Sequence, residues 1–202
     1  MFGHEKRMKK GIVMATIFSS LLGMFACNKT PTAEYKVADI YRDLRQQVFA
    51  ISPSKIGISP TAPDQVWGVL METGYPEAVA TLVTIADGTV SLYFSNGGGI
   101  IGVGQYEGPR KACMELLSLS QSFVKQTSPT KAFPLPGRGN TRFYLLTLEG
   151  VRTAEFNEDD LGNNKLPLSP LFHKAHEVIT QARIVDERLK AERGGAPKSG
   201  SQ

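Results

Sequence analysis

The stretch Ser95–Gly104 reads SNGGGIIGVG, and within it Gly97, Gly99 and Gly102 satisfy the spacing G-x-G-x-x-G. Such a spacing can cradle a phosphate. Glycines let backbone N–H groups converge on an anion, and a helix that follows at once adds the positive end of its dipole. Here Val103-Gly104-Gln105-Tyr106-Glu107 intervene before Gly108-Pro109, where the next helix is predicted to open. No lysine and hydroxyl of the P-loop kind follow the glycines. The stretch therefore reads first as a sharp bend, with Ile100, Ile101 and Val103 carrying the chain on as a short edge strand. The amides of Gly97, Gly98, Gly99 and Gly102 remain a candidate site for a small anion.

The other chemically capable residues are weaker candidates. His173 and His176 lie in HKAHE, which is neither H-E-x-x-H nor H-x-x-E-H. At helical spacing both fall away from the apolar seam, and no third ligand converges on them, so a solvated polar face is expected and no metal is assigned. In Glu155–Asn164 (EFNEDDLGNN), Asn157, Asp159 and Gly162 match only part of a calcium-loop register, and Leu161 occupies a ligand position. A loop with capping Asp and Asn side chains is the expectation there. Cys113 sits mid-helix beside an apolar stripe and reads as a small core residue. Trp67 and Tyr93 read as core aromatics rather than pocket walls. No nucleophile–base set is recognisable, so no catalytic residue and no cofactor is assigned.

The N-terminus carries a chemistry of its own. Lys6, Arg7, Lys9 and Lys10 stand against the single acid Glu5, and an apolar run, IVMATIFSSLLGMFA, extends from Ile12 to Ala26. As a helix that run spans only about 22 Å against roughly 30 Å of hydrocarbon, so a signal peptide (1–26) is favoured over a permanent span. Ala26-Cys27 resembles the end of a bacterial lipoprotein signal, in which the cysteine becomes the lipidated first residue. Met24 stands where that pattern favours Leu, and bulky Phe25 follows it. A plain secretory signal or an uncleaved anchor is the alternative. If Cys27 is acylated, Cys113 has no partner and no disulfide framework exists, so the domain must rest on its core. The formal charge of +4 is mostly the leader's: four basic residues less Glu5 give +3, which leaves the rest near +1. No basic face for nucleic acid is implied.

Residues 27–32 read as a tether, 33–190 as one globular domain and 191–202 as a small, polar, disordered tail. A first helix is predicted from Ala33 to Ala50, with Val37, Ile40, Tyr41, Leu44 and Val48 on one side and Arg42, Asp43 and Arg45 elsewhere on the wheel. Strands are predicted over Gln65–Glu72, Ala78–Ile85 and Thr89–Ser95, the last two joined by a turn at Asp87-Gly88. In the third strand Val90, Leu92 and Phe94 share one covered face, and Ser91, Tyr93 and Ser95 a more polar one. A second helix follows from Pro109 to Lys125, then a proline-rich loop from Ser128 to Asn140. Strands Thr141–Leu148 and Val151–Phe156 form a hairpin about Glu149-Gly150. The last helix is predicted from Ser169 to Lys190 on the seam Leu171, Ala175, Val178, Ala182, Val185 and Leu189. The result is an α+β domain in the order α-β-β-β-α-β-β-α, with a mainly antiparallel sheet of about five strands and three helices packed on one face.

SLYFSNGGGIIG (Ser91–Gly102) and LPLSPLFHKAHEVITQ (Leu166–Gln181) together resemble a family of small uncharacterised bacterial proteins, over most of Ser52–Arg183. That resemblance implies no activity and carries over no catalytic residue. The expected function is a lipid-anchored protein of the cell envelope whose domain binds a partner or a small ligand without chemistry of its own. Its expected partners are a membrane, through the lipid, and an envelope protein. The alternatives are an enzyme or anion binder using the Gly97–Gly104 bend, and a structural component that oligomerises through the seam of the last helix.

Overall fold

The computed structural model describes residues 35–194. The predicted signal peptide (1–26), Cys27 with its lipid, the tether (27–32) and residues 195–202 of the predicted tail lie outside the described residues.

The elements follow in the order α1 (Asp39–Ala50), β1 (Gly68–Gly74), β2 (Val79–Ile85), β3 (Val90–Phe94), β4 (Gly99–Ile100), α2 (Glu107–Ser120), β5 (Ser128–Thr130), β6 (Asn140–Thr147), β7 (Gly150–Asn157), α3 (Glu158–Gly162) and α4 (Ser169–Gly194). The strands form one antiparallel sheet in the order β4-β3-β2-β1-β6-β7-β5. The class is α+β, as the hairpin signals imply. The sheet has seven strands rather than about five, and a fourth helix, α3, lies between β7 and α4. Of the two added strands, β4 is the short edge strand the glycine stretch suggested. The other, β5, sits in the proline-rich segment, where Pro129 is tolerated because β5 is an edge. Arg152 of β7 holds it in place, with its guanidinium donating to the carbonyls of Val124 and Thr127.

Helices cover both faces of the sheet, not one. On one face α2 and α4 pack on Val69, Met71, Leu82, Val90, Leu92, Phe143 and Leu145. The α4 seam is spent here, with Leu171, Ala175, Val178 and Ala182 all at 0 % exposure. On the other face α1 and the segment around Phe133 and Leu135 cover Trp67, Leu70, Val83, Ile85, Tyr93, Tyr144 and Leu146. The face of β3 expected to be polar is therefore buried too: Tyr93 is 4 % exposed and Ser95 0 %. Its serine and tyrosine suggested solvent, but Ser95 Oγ accepts from Val79 N–H and the Tyr93 ring meets the edge of Tyr41. Local alternation cannot tell water from a second covering layer.

Local boundaries move for identifiable reasons. α1 starts at Asp39 and not Ala33, because Ala38 N–H donates to Ser95 O and Tyr35 is packed into the domain. β1 is shifted toward Gly74, and Gly68 packs closely in it: a Cβ there would come within 2.8 Å of a Leu146 methyl and 2.9 Å of an Ile85 methyl. The acidic stretch forms the short α3, and Asn157 caps it by accepting from Asp160 N–H. Cys113 is fully buried, its thiol facing the carbonyls of Ile85 and Thr89, and burial pushes its pKa up to about 12.

Candidate functional site

Tyr41, Arg45 and Phe49 are spaced by four residues, so they stand in one line along α1, toward the sheet. Beneath them a polar row crosses five strands. Tyr93 on β3 pairs with Thr81 on β2, Thr81 with Glu72 on β1, Glu72 with Arg142 on β6, and Arg142 with Glu155 on β7. In-register partners on one face have neighbouring Cβ atoms, so this row is contiguous.

Its centre is Glu72, at 0 % exposure. Arg45 grips it bidentately, with Nε donating to Oε1 at 2.6 Å and Nη2 to Oε2 at 2.9 Å. Thr81 Oγ1 lies 3.3 Å from Oε1 and bonds Tyr41 Oη at 2.8 Å. Burial works against the Arg45 charge, but the hydrogen bonds and the charge of Glu72 outweigh it, and the guanidinium pKa is raised. Burial, and then the Glu72 charge, raise the pKa values of Tyr41, Tyr93 and Tyr144. These phenols stay protonated and serve as donors and packing surfaces. The carboxylate of Glu155 accepts from Arg142 Nη2, Asn140 and the Gly137 amide, which anchors the strand ends to the segment facing α1.

Between α1 and that segment lies a cleft of about 790 Å³, walled by Val37, Phe49, Ala50, Phe133 and Leu135. Phe49 and Phe133 stack face to face at 4.1 Å, and Tyr144 Oη fixes the facing segment by donating to Pro134 O at 2.6 Å. Arg42, Arg45 and Gln46 of α1 also line the cleft. Tyr35 lines the cleft as well, 8 % exposed, and its buried hydroxyl has no partner. Arg142 Nε and Tyr93 Oη are likewise buried and unpartnered on this face. The volume falls inside the range of small-molecule sites, roughly 300–1,000 Å³, and apolar walls with a few fixed polar groups are their usual lining.

The predicted candidates lie elsewhere. Gly97, Gly98, Gly99 and Gly102 form the β3–β4 bend at the far sheet edge, with φ of 104°, 80°, 155° and 73°. Gly97 N–H donates to Phe94 O and Gly102 N–H to Ser91 Oγ, so two of the four amides are already committed within the chain. A 3-10 turn, Val103–Gln105, separates the bend from α2. His173 and His176 line a groove between α2 and α4. His173 Nε2 is 2.9 Å from Asn164 Oδ1, while His176 is half-buried against Phe172, with ring centroids 4.3 Å apart. Among the described residues no cluster of three or more His, Cys, Asp or Glu has the geometry of a metal site, and no helix is long and apolar enough to cross a membrane.

The setting of His176 has a measurable consequence. Burial, then His173 and Arg183, lower its pKa below the ordinary 6.5. The unfolded ring therefore takes up a proton before the folded ring does. The stability it contributes is complete above pH 6.5 and is lost as pH falls through the folded pKa. Thermal melts of the parent and His176→Gln at pH 7.5 and 5.5 should show the parent losing more Tm on acidification. Equal losses would contradict this assignment.

Reading the sequence missed Arg45, Glu72 and the Phe49–Phe133 wall. One signal was present: Glu72 ends VWGVLME, and a lone carboxylate in an otherwise apolar strand must find a buried cation. Which cation it finds depends on tertiary contact between residues 27 positions apart. Comparison of the chain with protein-family models, with curated proteins and with solved structures found no match.

Proposed function

We propose that this chain is an exported, lipid-anchored protein of the bacterial cell envelope whose α+β domain binds a small ligand in the cleft between α1 and the Phe133–Leu135 segment. Export and anchoring rest on the basic start, the short apolar run Ile12–Ala26 and the Ala26-Cys27 junction. Binding rests on the cleft, and the observation that carries it is its lining, a volume of about 790 Å³ in which apolar Val37, Phe49, Ala50, Phe133 and Leu135 stand with Arg42, Arg45 and Gln46. Glu72 has no solvent contact and both its oxygens are engaged, so its role is to hold Arg45 and α1 in place.

Two other uses of the chain have less support. Anion capture at Gly97–Gly104 would have to work with two of its four candidate amides already spent on Phe94 and Ser91. Assembly through the α4 seam would need residues that are packed inside the domain.

Two measurements test the reading. Mass spectrometry of the chain from bacterial membranes should find a mature N-terminus at Cys27 carrying acyl groups. An unacylated chain in the soluble fraction, still starting at Met1, would overturn the anchor. A thermal-shift screen of a small-molecule library, read by circular dichroism, should return ligands whose effect disappears in Ala50→Trp, which fills the cleft from an exposed position. A screen without a single cleft-dependent ligand would overturn the binding site.

A further inference from the structure

We infer that Asn96 is a site of self-modification: the backbone nitrogen of Gly97 closes on the Asn96 side-chain amide, and the residue is converted to aspartate and isoaspartate. This is independent of the cleft and of the lipid anchor. Asn96 and Gly97 stand in the loop that joins β3 to β4. Phe94 N–H donates to Gly98 O at 3.2 Å, and Gly97 N–H to Phe94 O at 3.0 Å. Ser95, Asn96 and Gly97 thus form a three-residue hairpin loop, with glycine at the positive-φ position, 104°.

Four other asparagines lie among the described residues, and each has its side chain engaged. Asn140 Nδ2 donates to Glu155 Oε1, and Asn157 Oδ1 accepts from Asp160 N–H. Asn163 Nδ2 donates to Asp159 O, and Asn164 Oδ1 meets His173 Nε2 at 2.9 Å. Their successors, Thr141, Glu158, Asn164 and Lys165, all carry a Cβ beside the amide nitrogen. Asn96 differs on both counts. It is exposed, its side chain makes no hydrogen bond among the described residues, and the next residue is glycine. Nothing lies within 4 Å of where a Cβ on Gly97 or Gly98 would stand, so a cyclic imide has room to form. One bond opposes the reaction, from Gly97 N–H to Phe94 O. It sits at the sheet edge, beside a strand of two residues, where local opening is least costly.

In the first step the Gly97 nitrogen bonds to Asn96 Cγ and the Cγ–Nδ2 bond breaks. Nδ2 leaves as ammonia, taking the proton that the Gly97 nitrogen carried. Water then opens the imide. Addition at Cγ gives aspartate; addition at the Asn96 backbone carbonyl carbon gives isoaspartate, in which the chain runs through the side chain. Either way the Gly97 nitrogen recovers a proton from the water, and the new carboxylic acid gives its own to solvent. The conversion adds a negative charge and, in isoaspartate, lengthens the backbone path. Both changes fall beside Ser95, whose carbonyl accepts from Ala38 N–H at 2.8 Å at the start of α1.

The test incubates the full chain, held in mild detergent, in warm and mildly alkaline buffer, and follows it by trypsin digestion and mass spectrometry. Cleavage after Lys55 and Arg110 releases Ile56–Arg110, in which Asn96 is the single asparagine. Replacing the amide by a hydroxyl raises the mass of that peptide, and electron-transfer fragmentation separates aspartate from isoaspartate. Asn96 should convert about tenfold faster than any other asparagine of the described residues, a barrier difference of about 1.4 kcal/mol. Gly97→Ala should slow it by a similar factor, and Asn96→Gln should leave the peptide mass unchanged over the same period. Where Gly97→Ala does not fold, the folded parent against its urea-unfolded form decides alone. Asn96 intact in the folded chain while it converts in urea would overturn the inference, because the bond to Phe94 would then hold the Gly97 nitrogen in place. Earlier conversion at Asn140, Asn157, Asn163 or Asn164, or an unchanged rate in a folded Gly97→Ala, would overturn it as well.

Discussion

Arg45→Met should destabilise the domain by about 3–5 kcal/mol, the usual cost of leaving one member of a buried ion pair alone. Arg45 and Glu72 are 13 % and 0 % exposed, so the abandoned carboxylate has no route to water. Methionine keeps much of the apolar stem that packs beside Phe49 and Tyr144 and so isolates the loss of charge. Adding Glu72→Leu should restore at least about 2 kcal/mol, because a buried pair replaced by apolar side chains is often neutral. Thr81 keeps a partner in that double variant, Tyr41 Oη at 2.8 Å. Urea denaturation read by Trp67, buried on the same face of the sheet, measures both variants. The charge that could blunt the effect is Arg142, directly across the ladder from Glu72 but held by Glu155. A cost under about 1 kcal/mol for Arg45→Met would mean that Arg142 can turn from Glu155 to Glu72. The pairing would then be redundant rather than the fastening of α1.

Gly104→Ala should cost about 3 kcal/mol, at the severe end for one added methyl. A Cβ at Gly104 would fall 1.8 Å from Gly88 O and 3.0 Å from Val90 N. Both opposing atoms are backbone of the β2–β3 hairpin, at its turn and at the start of β3, and cannot swing aside as a flexible side chain does. The change must push the 3-10 turn before α2 away from the hairpin. Gly98→Ala is the comparison. Nothing lies within 4 Å of its Cβ, and only the φ of 80° opposes a side chain, so a loss of about 1 kcal/mol is expected. Thermal melts of the two variants should separate clearly. Equal losses would show that conformation, not close approach, is what this glycine-rich stretch supplies.

Those glycines show how far the sequence could be read. Their number and the delayed helix were sufficient to predict a bend and a short edge strand. That Gly104 is fixed by contact with Gly88 was invisible, because the two meet only when the 3-10 turn docks on a hairpin sixteen positions earlier. The α4 seam was legible residue by residue, since one helix face repeats with the helical period whatever covers it. The opposite face of the sheet was not. Ser91, Tyr93 and Ser95 alternate just as a solvated face would, and the helix that buries them lies some fifty residues away in the chain.

By itself the sequence determined the three longer helices, the hairpins and an α+β class, because these follow from periodicity and turn chemistry within a few residues. It also carries the basic start and the apolar run Ile12–Ala26 on which the proposed anchor depends. Only tertiary structure decided that α1 covers the second face, that β1 and β6 pair at the sheet centre, and that Arg45 reaches Glu72. The physical reason is range. Local patterns report the environment each residue needs, while a buried ion pair and a cleft arise from which distant segments supply it.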